Sequence, residues 1–434
     1  MTLALLAFLA AFALIFFQVP IALGLGFVGL MGYFLLNDAT AAISMVMAVT
    51  RDVTMSYPLI VLPLFILMGN LVAGSGVSYD LFRAAQAMLG RRKGGVAMAT
   101  VLTAGGFSAI CGSSVATAAT VGRVAIPDMR RLGYSDGLSS AAVAAGGTLG
   151  ILIPPSVLLV VYGVATQTHI GMLFAAGMIP GIIGILGYLI AVKWTVWRKP
   201  DSVPEVTQTD PAPKAKLILS LWPVLAIFGL VMSGIYSGWF TTVEASGIGA
   251  AAALVYALSR HSMRGALLYH ILVDTAKTSC MMFAIILGAA IFGELINQTG
   301  IHHALLAMVN ADGISPFWVI TIMLLIYLVI GCVLESLSIL LLTIPIFFPV
   351  IVALGFDPIW FGIVVVVVVE IGLITPPIGV NLFVIRSVVP DIPMKRIILG
   401  VIPFVVVDLF RLALIALVPA LSLWLPYVLF PSGQ

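Results

Sequence analysis

Two apolar, helix-length runs of this chain each carry a Pro-Pro pair four residues after a glycine: Gly150-Ile-Leu-Ile-Pro154-Pro155 and Gly372-Leu-Ile-Thr-Pro376-Pro377. Proline has no N–H to give to a helix, and it pushes the residue before it out of helical dihedrals. Neither run can therefore continue as one unbroken helix. The two signatures lie 222 positions apart, and the spacing recurs: Leu132-Gly133-Tyr134 answers Leu354-Gly355-Phe356, and Ile126-Pro127 answers Phe348-Pro349. At 224, Gly69 and Gly76 answer Gly293 and Gly300. The chain reads as an internal duplication with one interrupted helix per half, a pattern that places a solute or ion site where the halves meet.

The solvent for these helices is lipid. Hydrophobic residues make up 62% of the 434 and charged residues 9%, with a mean hydropathy of +1.21, too much apolar surface for a water-soluble fold. The first basic residue is Arg51, and the apolar run from Leu3 to Leu36 is too long for a secretory leader, so it is expected to stay as membrane helix. Cys111, Cys280 and Cys332 have no CxxC spacing and read as small packing residues, without a disulfide framework. The five histidines form no HExxH, and no glycine-rich run ends in Gly-Lys-Ser/Thr, which argues against a hydrolase metal or an ATP site. No enzyme activity, organic cofactor or nucleic-acid partner is expected.

A helix needs about 20 apolar residues to cross the hydrocarbon core. Crossings are predicted at Leu3–Phe17, Ile21–Leu36, Leu59–Val77, Gly137–Thr166, Gly171–Trp197, Leu217–Ser237, Trp239–Leu258, Ser279–Ile296, Pro358–Ser387 and Arg396–Tyr427. Two stretches, Gly94–Val124 and Pro316–Leu354, hold two apolar arms around a polar, serine-bearing centre and read as re-entrant hairpins. Each half then has five crossings and a hairpin, and an odd number inverts the second half relative to the first. The predicted fold is an all-α polytopic membrane protein of two inverted repeats, 1–198 and 217–434, each with a hairpin (about 94–124 and 316–354) and a Pro-Pro-broken helix (about 137–166 and 358–387). With both termini periplasmic, eighteen of the twenty Lys and Arg fall on the cytoplasmic side, leaving only Arg51 and Arg411 elsewhere. Asn37–Tyr57 and Ser259–Thr278 are mixed in polarity and are expected to lie along the membrane surface. Residues 199–216, with Pro200, Pro204, Pro211 and Pro213, form a cytoplasmic linker. No segment is long enough for an extramembrane domain, so capture of a dilute solute would need another chain.

The chemistry follows from the breaks. A Pro-Pro pair leaves carbonyls free at mid-membrane, tolerable only where they line a protein cavity and can replace a cation's hydration shell. The hairpin centres add oxygen: Ser108, Ser113, Ser114 and Thr117 in the first, Glu335, Ser336 and Ser338 in the second. Such hard-oxygen ligands suit sodium, although hydroxyls among small residues also knit membrane helices together. Acidic residues cost about 2.5–3.5 kcal/mol at a helix centre, so Glu335 and Glu370 need a reason, either facing the cavity or a structural hydrogen bond. Asp408 and Arg411, three apart, read as an internal ion pair, with contact to an anionic substrate as the alternative role for Arg411. Asn381, Glu370 and Thr117 are further candidates for substrate contact.

Four motifs, Gly105-Gly-Phe-Ser-Ala-Ile-Cys-Gly-Ser-Ser-Val-Ala-Thr117, Gly147-Thr-Leu-Gly-Ile-Leu-Ile-Pro-Pro-Ser156, Gly331-Cys-Val-Leu-Glu-Ser336 and Glu370-Ile-Gly-Leu-Ile-Thr-Pro-Pro-Ile-Gly-Val-Asn-Leu-Phe383, resemble the large membrane subunit of tripartite ATP-independent periplasmic (TRAP) transporters, within the ion transporter superfamily. The likeness covers nearly the whole chain; it departs at Val368, where the family commonly has Asn. The resemblance implies sodium-coupled uptake of a small organic anion (a C4-dicarboxylate, sialic acid or another carboxylate or sulfonate) across a bacterial or archaeal cytoplasmic membrane. It also implies a soluble periplasmic substrate-binding protein, a small four-helix membrane subunit, and an elevator in which hairpins and broken helices move against a scaffold. Matched by position, one sodium site would use Ser113, Ser114, Gly150, Ile153 and Pro155, and its mirror Glu335, Ser336, Gly372, Thr375 and Pro377. A stand-alone sodium- or proton-coupled dicarboxylate symporter and a passive channel are the competing readings.

Overall fold

The computed structural model describes residues 2–204, 217, 219–260, 263, 265–311 and 315–431, and among them every regular element is helical. Lipid forces this outcome, because a helix satisfies all of its backbone groups internally. Six helices among the described residues are long and apolar enough to cross a bilayer: Tyr57–Gly74, Ile170–Arg198, Thr242–Ser259, Gly265–Thr299, Ser336–Ala353 and Met394–Leu417. Shorter apolar helices, among them Thr2–Phe16 and Ile21–Leu36, complete a multi-pass membrane protein.

Both predicted hairpins are helix-turn-helix units, Gly95–Cys111 with Ser114–Arg131 and Pro316–Gly331 with Ser336–Ala353, the first running seven residues past its expected end at Val124. Both predicted breaks are present. The first separates Asp136–Thr148 from Val157–Thr166, with a short 3-10 turn at Leu149–Ile151; the second separates Pro358–Leu373 from Val380–Val388.

Elsewhere the structure differs from the sequence expectation. The first surface segment is its own helix, Ala39–Thr54, ended before Pro58, but the second merges with the following crossing into one 35-residue helix, Gly265–Thr299. No proline interrupts that stretch, so mixed polarity alone does not end it. The last crossing is two helices, Met394–Leu417 and Ala420–Leu429, separated at Pro419. Two helices had no counterpart in the sequence reading, Val77–Leu89 and Ile301–Ala311, each leading into a hairpin. The linker begins as a short turn, Pro200–Ser202, whose Ser202 carbonyl accepts from the Ser135 amide at 2.9 Å; residues 205–216 lie outside the described residues, as do His261 and Arg264 of the second surface segment.

Two apolar cores organise the chain. In one, Ile21–Leu36 packs along Gly265–Thr299 through small residues: a methyl on Gly29 would sit 2.7 Å from the Phe292 amide nitrogen, and one on Gly26 would sit 3.6 Å from the Gly288 Cα. Such close approach is how helices associate in lipid. In the other, the first hairpin and Asp136–Thr148 pack with Val380–Val388 and Met394–Leu417, burying Val101, Phe107, Val121, Val143, Ile385 and Phe404. The second broken helix therefore ends among elements of the first half, which brings the two discontinuities together.

Candidate cation-binding site

The first hairpin turns at Gly112 and Ser113. Gly112 has φ +63°, a conformation that favours glycine, and its amide closes the helix on the Ser108 carbonyl at 3.0 Å. Ser113 is extended and caps the next helix, its hydroxyl accepting from the Ala116 amide at 3.4 Å. This turn is pressed onto the first break. A methyl on Gly112 would lie 2.6 Å from the Pro155 carbonyl oxygen, and one on Gly150 would lie 2.9 Å from the Ser113 oxygen and 3.1 Å from Thr117 Oγ1. Glycine at both positions is what permits the approach. Ser156 donates to the Ile151 carbonyl at 2.5 Å and accepts from the Leu159 amide, starting the next half-helix. Between them, the carbonyls of Ile153, Pro154 and Pro155 accept no hydrogen bond among the described residues. Thr117 Oγ1 is fully buried without a partner, and Ser114 and Ile153 are also buried. The cradle is thus lined by oxygen atoms with free lone pairs.

The second hairpin and second break meet in the same way. A methyl on Gly372 would sit 2.5 Å from the Gly331 carbonyl carbon and 2.7 Å from its oxygen, and the Gly379 amide donates to the Cys332 carbonyl at 3.1 Å. Glu335 takes the N-cap position of Ser336–Ala353, with the Ser338 hydroxyl 3.5 Å from its carboxylate. Thr375 donates its hydroxyl proton to the Ile371 carbonyl at 2.6 Å, so its oxygen can act toward any other group only as an acceptor. The two cradles differ in access: Pro154 and Pro155 are buried, while Pro376, Pro377 and Ile378 are exposed. Both Pro-Pro bonds are cis.

The remaining candidates lie apart from the hairpin turns. Asn381 is fully buried and donates to the Ala144 carbonyl of the first broken helix at 3.2 Å, while its Oδ1 has no partner. Glu370, also fully buried, is paired with Arg411, and Arg411 lies 3.1 Å from Asp408, so the intrahelical pair read from the sequence gains a second carboxylate. Tyr188 and Thr148 join this cluster without having been singled out; their signal was an isolated polar group in an apolar helix, a common and unspecific one. Val368 is fully buried among apolar neighbours.

Two clefts flank this assembly. One of about 500 Å³ is lined by Asp52, Ser56, Gln167, Glu294, Asn297 and Pro345 among others. A smaller one of about 350 Å³ is lined by Asn70, Thr120, Arg123 and Asp274 among others. Each cleft is lined from both halves of the chain, the larger by Asp52 and Glu294 and the smaller by Asn70 and Asp274. Among the described residues no group of three or more His, Cys, Asp or Glu side chains converges as a metal site.

A multi-pass, all-helical protein with two hairpin turns seated against two interrupted helices belongs to the class of membrane transport permeases. The family is then specific: residues 8–421 match the DctM component of the tripartite ATP-independent periplasmic transporters, and the chain belongs to that family. It is 38% identical over 374 residues to the C4-dicarboxylate TRAP transporter large permease protein DctM of Pseudomonas aeruginosa, covering 85% of this chain and 86% of that one. It is 31% identical to the sialic acid TRAP transporter large permease protein SiaM of Vibrio cholerae, covering 97% and 98%. It is 34% identical to the isethionate TRAP transporter permease protein DctMQ of Oleidesulfovibrio alaskensis, covering 94% of this chain and 64% of that one. The fold is shared with the YdaH transporter of Alcanivorax borkumensis, at a TM-score of 0.63, 15% identity, and coverage of 90% and 91%.

Proposed function

We propose that this permease carries out sodium-coupled uptake of a small organic anion, and that the two cradles are its cation sites. The observation that carries the reading is the pairing of each hairpin turn with a Pro-Pro break through glycines that admit no side chain. Ser113, Ser114, Gly150, Ile153 and Pro155 hold one ion, and Glu335, Ser336, Gly372, Thr375 and Pro377 the other, mostly through backbone carbonyls. The orphaned Thr117 hydroxyl and the unbonded carbonyls supply the oxygen donors such an ion requires.

The two halves are inverted repeats, with Arg83, Arg130, Arg198 and Arg396 among the cytoplasmic charges and both termini periplasmic. Clefts on either flank suit a body of hairpins and broken helices that moves against a scaffold and opens to each side in turn. A C4-dicarboxylate, a sulfonate or a sialic acid is the substrate class suggested by the relatives' names. A periplasmic binding protein hands over the substrate and a small membrane subunit steadies the scaffold. Sodium is needed because moving an anion into a negative interior costs electrical work of about 2.3 kcal/mol per charge at 100 mV, and accompanying cations that outnumber the anion's charges reverse that cost.

The test is uptake into proteoliposomes containing this permease with its binding protein and small subunit. Ser113→Ala and Ser336→Ala are expected to raise the sodium concentration for half-maximal uptake. Sodium-independent uptake by the wild type, or unchanged sodium activation in both variants, overturns the proposal.

A further inference from the structure

A continuous polar chain runs between the two breaks. Thr148 Oγ1 lies 2.9 Å from the Tyr188 hydroxyl, which donates to Asp408 Oδ2 at 2.5 Å; Asp408 faces Arg411 at 3.1 Å, and Arg411 donates to Glu370. None of the five is more than 1% exposed. Tyr188 has a single hydroxyl hydrogen, and the carboxylate takes it, so the Thr148 hydroxyl, also 2.8 Å from the Ala145 carbonyl, shares its one hydrogen between that carbonyl and the Tyr188 oxygen. The ends of the chain are placed by the duplication: Thr148 is two residues before Gly150, Glu370 is two residues before Gly372, and the two are 222 apart. The middle comes from two other helices, Ile170–Arg198 and Met394–Leu417. Gly184 leaves the space that the Arg411 guanidinium fills.

We propose that Tyr188 is a positioning residue that makes the two cation cradles respond to each other; the inference rests on the sodium reading above. Buried charges and hydroxyls cannot lose partners cheaply, so displacing one broken helix relative to the other would strand Asp408, Arg411 or Glu370 in a low-dielectric interior. The two breaks are therefore held in one register. An ion that tightens the break at Gly150 alters, through Thr148 and Tyr188, the position of the break at Gly372. Asn381 gives the same pair of elements a second tie, on the far side of the break, through the Ala144 carbonyl.

Tyr188→Phe removes only the hydroxyl. The ring keeps its edge contact with Phe404, at 5.6 Å between centroids, and its place beneath the Arg411 guanidinium. Thr148→Val removes the first link with little change of shape and serves if Tyr188→Phe folds poorly. In the reconstituted complex, two coupled sites make wild-type sodium activation sigmoid, with a Hill coefficient approaching about 2, since cooperativity is bounded by the number of sites. Each variant is expected to bring that coefficient to about 1 while uptake at saturating sodium is retained. A purely structural role would lower the amount of folded protein or the maximal rate and leave the steepness alone. A sigmoid wild-type curve with unchanged steepness in the variants overturns the coupling alone, as does a sodium-dependent but hyperbolic wild type. Sodium-independent wild-type uptake overturns the sodium reading and the coupling with it.

Discussion

Gly372→Ala tests the second cradle most directly, because its consequence can be worked from one contact. The added methyl would lie 2.5 Å from the Gly331 carbonyl carbon and 2.7 Å from both the Gly331 Cα and its oxygen. Carbon atoms pack best at about 3.5–4.0 Å, so hairpin and broken helix must part by about 1 Å. Both partners are backbone, and no side chain can swing aside. Overpacking of this kind costs about 1–3 kcal/mol, and if it falls wholly on the ion-binding geometry it weakens cation affinity roughly 5- to 150-fold. Sodium titration of uptake in proteoliposomes, normalised to the amount of folded permease, reads the effect as a raised half-saturating concentration. Gly331→Ala should act in the same direction but less, since its methyl would stand 3.3 Å from the Gly372 Cα. Gly229→Ala, with nothing within 4 Å, is the neutral control. A half-saturating sodium concentration for Gly372→Ala within twofold of the control would refute the reasoning.

Arg411→Met should leave Glu370 and Asp408 buried without their counter-charge, lowering stability by about 3–5 kcal/mol, seen as reduced yield and an earlier thermal transition in detergent. Gly184→Ala should act in the same direction by displacing the guanidinium. At the edge of the first hairpin, Arg130 pairs with Asp136 at 2.7 Å and with Asp391 at 2.6 Å. The Arg130 hydrogen bond holds the Asp391 carboxyl below its usual range. A depressed folded-state value means the stabilisation is complete above the ordinary aspartate value, about 3.9, and is lost as pH falls through the depressed one. The difference in thermal stability between wild type and Arg130→Gln should therefore be flat from about pH 5 to 8. A difference that changes steadily across that window would contradict the assignment.

What was legible beforehand was local. Pro154-Pro155 and Pro376-Pro377 end helices wherever they stand, because the missing donors and the restricted preceding residue belong to the chain itself. The polar, serine-bearing centre of Gly94–Val124 marked a hairpin, and its turn falls at Gly112 and Ser113. Val77–Leu89 escaped notice because Asp80, Arg83 and Gln86 dilute its hydropathy, and its helical character rests on burying Val77, Phe82 and Ala84 against neighbours. Gly265–Thr299 runs as one helix through a polar patch that suggests an end, because no proline within it breaks the backbone hydrogen bonds.

The residence in lipid and the two interrupted helices were written in the order of residues, for each depends on backbone chemistry and composition over a few neighbours. Tertiary structure decided which turn meets which break, that Glu370 faces Arg411, and that Asn381 reaches across to Ala144. Those pairings join residues tens to hundreds of positions apart. Their geometry is a collective result of how several helices pack, which no local pattern encodes.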